Sequence, residues 1–346
     1  MDNQNKLTHI KINEFVFEVT DACNFLCPYC LNPSRTNAFM EVQSFKKIAN
    51  ILKQKGCDKV VLSGGEPLLH PHIKDMLIYL NERNFAVTLA TNCSLIDEDW
   101  IHFLVKCDNI TLQISMDVID ENIHDTLRCK GSFKKNIDTI NKLVELGYEK
   151  GSIRMTINKQ NYLQTRKMYD FALEKRFRPI FSFVTKKGRA NLNWDNLALD
   201  IDDYESVLKM FNKKGDTRPG IHSVLMDLKE GNGLCHILMD VPVLTPFLTV
   251  DFNVRPCGIL DYILGNLVTD DFDEIFGIKL QNLCEFMELE RKRIINAVCR
   301  KCIGKINCMV GCIPMMSDLL TKTDNCIRIE NSVRKSISKI MGEIYK

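Results

Sequence analysis

Three of this chain's fifteen cysteines, Cys23, Cys27 and Cys30, fall within one short run with the spacing C-x3-C-x2-C. Thiolates are the protein ligands of zinc and of iron–sulfur clusters. This run presents three of them from a single loop, one fewer than a four-iron cluster normally takes from protein. An iron without a protein ligand can bind a second molecule, which turns a structural cluster into a reactive one. The spacing differs from the plant-type ferredoxin run and from the paired knuckles of zinc modules. On spacing alone, a cluster, a zinc site and a set of buried cysteines all remain open.

A second set of cysteines gathers near the other end of the chain. Cys235 and Cys257 come first, then Cys299, Cys302, Cys308 and Cys312 in the run C-x2-C-x5-C-x3-C, then Cys326. The rest (Cys57, Cys93, Cys107, Cys129 and Cys284) lie outside any tight spacing and read as packing positions. With no apolar signal core and no membrane-spanning run, the chain is expected in the cytoplasm, where disulfides are disfavoured and metal or cluster ligation is the better default. A net charge of +2, with lysines and arginines scattered, argues against a nucleic-acid surface.

The elements that must position these cysteines alternate. Residues 14–20 read as a strand, with the cysteine loop directly after it. Phe45, Ile48, Ala49 and Leu52 fall at helical spacing, and Gly56 ends that helix. Further strands are expected over 59–63, 86–91, 110–115, 153–157 and 179–184. The helices between them run over about 71–84, 97–106, 133–146 and 162–175. Six β-α units in series imply a parallel sheet with helical crossovers, an α/β fold read as a partial (β/α)6 TIM-like barrel with a C-terminal cysteine-rich iron–sulfur domain. The expected division is a barrel over 12–190, a bridging region of turns over 191–232 and a cysteine-rich domain over 233–346.

In such a barrel the strand C-termini share one face, where ligands bind. The cysteine loop, Gly64-Gly65-Glu66-Pro67, Asn92 and Ser115-Met116-Asp117 each follow a strand and would converge. Two glycines let backbone approach a ligand, and a glutamate beside them can accept from an ammonium group. A plain turn is the competing reading of the same four residues.

Cys23, Cys27 and Cys30 after the first strand, with Gly64-Gly65-Glu66-Pro67 after the second, resemble the radical S-adenosylmethionine (SAM) enzymes. The C-terminal cysteines resemble those enzymes' SPASM domain, in the peptide-modifying or sulfatase-maturing branch. The resemblance implies that Cys23, Cys27 and Cys30 hold a [4Fe–4S] cluster whose open iron binds SAM. Reductive cleavage of SAM then gives a 5′-deoxyadenosyl radical that takes a hydrogen atom from substrate. It also implies that Tyr29 lies against the adenine, Glu66 meets the SAM ammonium, Asn92 lies near the ribose or methionyl part, Ser115 touches SAM and Arg154 is available to its carboxylate. Cys93 stands where relatives often have glycine, and Val118 likewise. For Asp117, His124, Asp125 and Arg128, capping or ion pairing competes with ligand contact.

By the same resemblance, Cys299, Cys302, Cys308 and Cys326 would ligate one auxiliary [4Fe–4S] cluster, and Cys235, Cys257 and Cys312 the other, leaving a site open to a substrate thiolate or to a carboxylate such as Asp227. Phe252, where relatives have a glycine before the second cysteine, puts the geometry of that hairpin in question. The implied activity is a radical SAM/SPASM maturase, an oxidoreductase that modifies a ribosomally made peptide by oxidative thioether or C–C cross-linking. Its partners would be a peptide and an electron donor such as flavodoxin or ferredoxin; with only about 13 residues before the first strand, leader recognition would fall to a separate leader-binding protein or to the barrel's own surface. Sulfatase-maturing dehydrogenation, peptide epimerisation and small-metabolite tailoring are the enzyme alternatives. An iron–sulfur electron carrier or zinc module is the alternative outside enzymes.

Overall fold

The structure, a computed structural model, describes residues 11–12, 14–32, 35–211, 243–286 and 289. Cys235, Cys299, Cys302, Cys308, Cys312 and Cys326, and Asp227, lie outside the described residues.

Six parallel strands carry the fold: β2 (Phe15–Thr20), β3 (Lys59–Gly64), β4 (Ala86–Thr91), β5 (Ile110–Ser115), β6 (Ser152–Ile157) and β7 (Arg178–Phe183). They are adjacent in chain order, so each connection is a helical crossover. The crossovers are α1 (Val42–Gln54), α2 (Ile73–Glu82), α3 (Glu98–Lys106), α4 (Glu121–Leu127) with α5 (Ser132–Glu145), and α6 (Thr165–Glu174). The strands alternate between two environments. Phe15, Phe17, Leu62, Leu89, Leu112 and Ile114 pack among the helices' apolar side chains. The opposite face carries Ser63, Thr88, Thr111, Gln113, Ser115 and Arg154 and lines a cavity. A closed barrel fills its interior with branched apolar layers; this sheet's inner face interleaves those polar groups with Val16, Val61, Ala90 and Ile180.

Local chemistry sets the helices. Helix α1 buries Phe45, Ile48, Ala49 and Leu52 and starts at Glu41, whose carboxylate accepts from the N–H groups of Gln43 (2.7 Å) and Ser44 (2.6 Å). Asp97 caps α3 through the Trp100 N–H at 2.8 Å.

The structure departs from the sequence reading in three places. Helix α4 was not expected. Two helices, α7 (Trp194–Leu197) and α8 (Ile201–Phe211), lie where a bridging region of turns was expected, and Val207 and Phe211 of α8 enter the core. A charge-rich stretch hid the i, i+4 pair. Past residue 242, β1 (Lys11–Ile12) pairs with β8 (Val243–Leu244), and β9 (Phe247–Leu248) pairs in parallel with β2. Antiparallel strands β10 (Asn253–Arg255) and β11 (Gly265–Asn266) extend that edge, so the parallel sheet continues into the C-terminal region. A short helix, α9 (Phe272–Glu274), packs Phe272 at a tilt against Phe276, which packs edge-on to Phe15. The hairpin forms with Phe252 at φ +67°, the left-handed conformation a glycine takes without strain.

Candidate active site

One cavity of about 990 Å³ runs along the polar face of the sheet. Lys59, Ser152 and Arg178 line it at the strand N-termini, and Cys23, Cys27, Cys30, Glu66 and Asn92 at the strand C-termini. The three sequence-predicted thiols therefore share one space with Tyr29, Gly64, Gly65, Ser115 and Arg154. Pro67 is buried at the start of a 3-10 turn, Pro67–Leu69, just behind it.

The cysteine loop has little regular structure, and distant groups hold its shape. Arg35 donates to the Cys23 carbonyl at 2.6 Å and also to that of Phe25. Arg189 donates from Nε to the Cys27 carbonyl at 3.0 Å and from its backbone N–H to the Cys30 carbonyl at 2.9 Å. The Asn193 amide donates to the Pro28 carbonyl at 3.1 Å. Gly188, at φ +60°, lets this strap lie against the loop, since a Cβ there would come within 2.3 Å of the Cys30 carbonyl oxygen. With the Cys23, Phe25 and Cys27 carbonyls engaged by guanidinium groups and those of Pro28 and Cys30 by amides, the loop can turn its thiols to the cavity. Burial pushes the Cys27 thiol up to about 11, and raises Cys23 as well. Neutral thiols are thus favoured until a metal binds them. Sequence reading missed Arg35 and Arg189, which are long-range contacts with no local pattern; Lys186–Ala190 read only as a turn.

Tyr29 reaches the opposite wall and donates its hydroxyl to Asp117. Asp117 is fully buried and accepts from Arg128 Nε (2.7 Å) and Nη2 (3.1 Å) and from the Thr156 N–H (2.9 Å). Burial alone would raise the Asp117 carboxyl. Arg128's charge and hydrogen bonds outweigh burial, with help from Tyr29, and hold it below the usual range. Asp125 caps α5 by accepting from the Phe133 N–H at 2.9 Å, and His124, kept neutral by burial that lowers it to about 4, accepts from the Asp117 N–H at 3.4 Å. Arg128 and Asp117 thus form a buried pair that positions Tyr29.

The two glycines allow a close approach, and their partner is the chain itself. A Cβ at Gly64 would lie 2.1 Å from the Thr20 carbonyl oxygen, and one at Gly65 would lie 2.1 Å from that of Ala22. Gly65 N–H donates to Thr20 and Glu66 N–H to Ala22, both at 2.7 Å, which ties the segment to the entry of the cysteine loop. Glu66 is 1% exposed and accepts from the Thr91 hydroxyl (2.6 Å), the Leu68 N–H (3.1 Å) and the Asn92 N–H (2.8 Å). Burial pushes its carboxyl up to about 7 against the lowering effect of those hydrogen bonds. A carboxylate has about four acceptor sites. Three are used, and the one left, on Oε2, fits an incoming ammonium donor.

Asn92 donates to Asn24 of the cysteine loop at 3.0 Å. Cys93 follows at φ +65°, fully buried. Here, as at Phe252, the residue replacing a glycine keeps the glycine's backbone. The described part of the C-terminal region reaches the same loop. Glu18 of β2 accepts from Asn32 at 2.6 Å and from the Val250 N–H at 3.3 Å. Lys187, beside Gly188, meets Asp261 at 2.7 Å, and Asp261 meets Arg255 at 2.7 Å. Cys257 stands in this hairpin, its Sγ accepting from the Leu260 N–H at 3.4 Å.

Among the described residues no three Cys, His, Asp or Glu side chains meet as a single bound ion would require. A four-iron cluster takes one thiolate at each of three corners and spreads its ligands more widely. Three cavity-facing thiols on a cation-braced loop fit that group.

Residues 17–172, a little under half of the chain, match the Radical SAM superfamily. The antilisterial bacteriocin subtilosin biosynthesis protein AlbA of Bacillus subtilis is 24% identical over 271 residues, 76% of this chain and 59% of AlbA. The chain therefore spans about three-fifths of that relative's length. The sporulation killing factor maturation protein SkfB of Bacillus subtilis is 27% identical over 312 residues, 87% of this chain and 72% of SkfB. Among solved structures, Streptococcus suis SuiB bound to precursor peptide SuiA superposes with a TM-score of 0.66 at 18% identity, covering 81% of this chain and 69% of SuiB. That likeness shows the fold.

Proposed function

We propose that the chain is a radical SAM maturase acting on a ribosomally made peptide. The observation that carries this is that three cysteines and Glu66 line one cavity. Cys23, Cys27 and Cys30 would hold the [4Fe–4S] cluster. SAM would set its ammonium against Glu66, its adenine against Tyr29 and its remaining polar groups along Asn92, Ser115 and Arg154. When bound, cluster and SAM together supply one electron and a hydrogen-atom acceptor strong enough for an unactivated C–H bond.

This chain's own residues bind and orient. Arg35 and Arg189 fix the loop carbonyls, the Gly64–Gly65 strut fixes the loop's entry, and the Asp117–Arg128 pair fixes Tyr29. Burial keeps Glu66 protonated up to near neutrality, so an ammonium ligand ionises it on arrival and releases the proton. Names such as bacteriocin biosynthesis and killing-factor maturation, carried by the relatives, support a peptide as the substrate.

In this reading Cys235, Cys257 and Cys312, with Cys299, Cys302, Cys308 and Cys326, hold two auxiliary clusters in a SPASM domain over 233–346. Held there, such clusters would supply an electron acceptor, and the product would then be an oxidised cross-link, thioether or C–C. A flavodoxin or ferredoxin supplies the reducing electron in the cytoplasm. The test is co-expression with short peptides encoded beside the gene, followed by mass spectrometry. Loss of two hydrogens mapped to one residue pair supports the cross-linker. An unchanged mass for every such peptide, with the protein carrying full iron, refutes it.

A further inference from the structure

A row of polar side chains crosses the inner face of the sheet below the cysteine loop. Gln113 of β5 is paired with Ser152 of β6, and Ser152 with Arg178 of β7. Neighbouring strands lie about 4.8 Å apart, so an amide, a hydroxyl and a guanidinium stand side by side. All three line the cavity. Among the described residues, none of these three side chains has a hydrogen bond or ion pair.

Ser152 is only 3% exposed, Gln113 is half-buried and Arg178 is exposed, so the row runs from a buried hydroxyl to an open guanidinium that a ligand can reach. Of the other charges at this end, Glu149 and Lys150 are matched, while Lys59 and Glu14 also line the cavity. Glu149 pairs with Arg176, and Lys150 donates to the Cys107 carbonyl at 2.8 Å and to Asp108 at 3.3 Å. Arg154 stands two residues further along β6 on the same face, with Glu14 across the cavity.

We infer that Gln113, Ser152 and Arg178 form a subsite for a carboxylate of the substrate. The inference rests on the peptide reading above. The guanidinium fork takes both oxygens, and the hydroxyl and amide N–H groups donate alongside it. An Asp or Glu side chain and a peptide's C-terminus offer the same group. The row lies two residues short of the β5 end and five short of the β7 end. At about 3.3 Å per residue that is about 7 Å and about 17 Å below the mouth that holds the thiols. An extended peptide covers this span in about two to five residues. The carboxylate thus selects substrates with an acid that many positions from the residue undergoing chemistry.

Isothermal titration of the full-length, iron-loaded protein tests this with three blocked pentaglycine probes carrying a central Glu, Gln or Lys, and with N-acetyl-pentaglycine ending in a free carboxylate. The Glu probe should bind at least tenfold tighter than the Gln and Lys probes. That preference should vanish in Arg178→Gln and survive in part in Arg178→Lys, with unfolding midpoints confirming that both variants fold. Tight binding of the free-carboxylate probe instead of the Glu probe would assign the site to a C-terminus. Equal affinity for all four probes, or a Glu preference that survives Arg178→Gln, overturns the subsite. An acid preference without modification of any peptide would sink the peptide reading and leave the subsite standing. Modification indifferent to acidic residues would do the reverse.

Discussion

Replacing Arg128 with Met tests the buried pair that anchors the cysteine loop. The Asp117 side chain is 0% exposed and that of Arg128 is 9% exposed, so neither charge is screened by water. Met keeps much of the volume and removes the cation. Asp117 would then be left with the Tyr29 hydroxyl and the Thr156 N–H. Removing one partner of a buried ion pair costs about 3–5 kcal/mol, mostly for the charge left behind. Asp117→Asn should cost a comparable amount, since it strands Arg128. The double variant buries no charge and should be less destabilised than the sum of the singles by about 2–3 kcal/mol. Urea unfolding followed by circular dichroism measures all three. A loss below about 0.5 kcal/mol for Arg128→Met, the range of ordinary surface changes, would refute the reasoning, as would strict additivity. The iron retained by each variant reads the same contact from the loop side, because Tyr29 lies between Cys27 and Cys30.

Other outcomes follow from the same geometry. Glu66 has its folded value raised from 4.5 to about 7, so its contribution to stability is full below pH 4.5 and is lost as pH rises to about 7. Relative to Glu66→Gln, the wild type should lose up to about 3 kcal/mol across that window, at about 1.36 kcal/mol per pH unit; a constant difference between the two unfolding curves would contradict it. Gly65→Ala would drive a Cβ to within 2.1 Å of the Ala22 carbonyl oxygen, so the loop entry must shift. Iron binding should fall severalfold, while a Gly277→Ala control, whose Cβ meets nothing within 4 Å and whose φ is not positive, should leave it unchanged. Arg189→Ala removes the Nε–carbonyl contact at Cys27 and should speed iron loss to a chelator by at least severalfold; equal rates would show that the strap does not hold the loop.

Much of this was legible in the sequence because it is local. The i, i+3, i+4, i+7 spacing of Phe45, Ile48, Ala49 and Leu52 gives a helix directly, and the six strands recur with turn residues between them. The three cysteines and Glu66 fall on strand C-termini, where parallel topology alone places them together. The braces on the cysteine loop were hidden because they span long stretches of chain, as Arg189 and Cys27 do. The glycine pair was legible as a close approach, but its partner, the Thr20–Ala22 backbone, emerges only once β2 lies beside β3. Cys93 and Phe252 misled for a different reason. A non-glycine residue at positive φ costs about 1–2 kcal/mol, an amount that surrounding packing can offset without leaving a sign in the sequence.

The central claim is tested most directly by reductive cleavage of SAM. The anaerobically reconstituted protein, reduced with dithionite and given SAM, should form 5′-deoxyadenosine, and the Cys23→Ala/Cys27→Ala/Cys30→Ala variant should form none. Cleavage that persists in that variant, or no cleavage by wild-type protein carrying its full iron, would contradict the account.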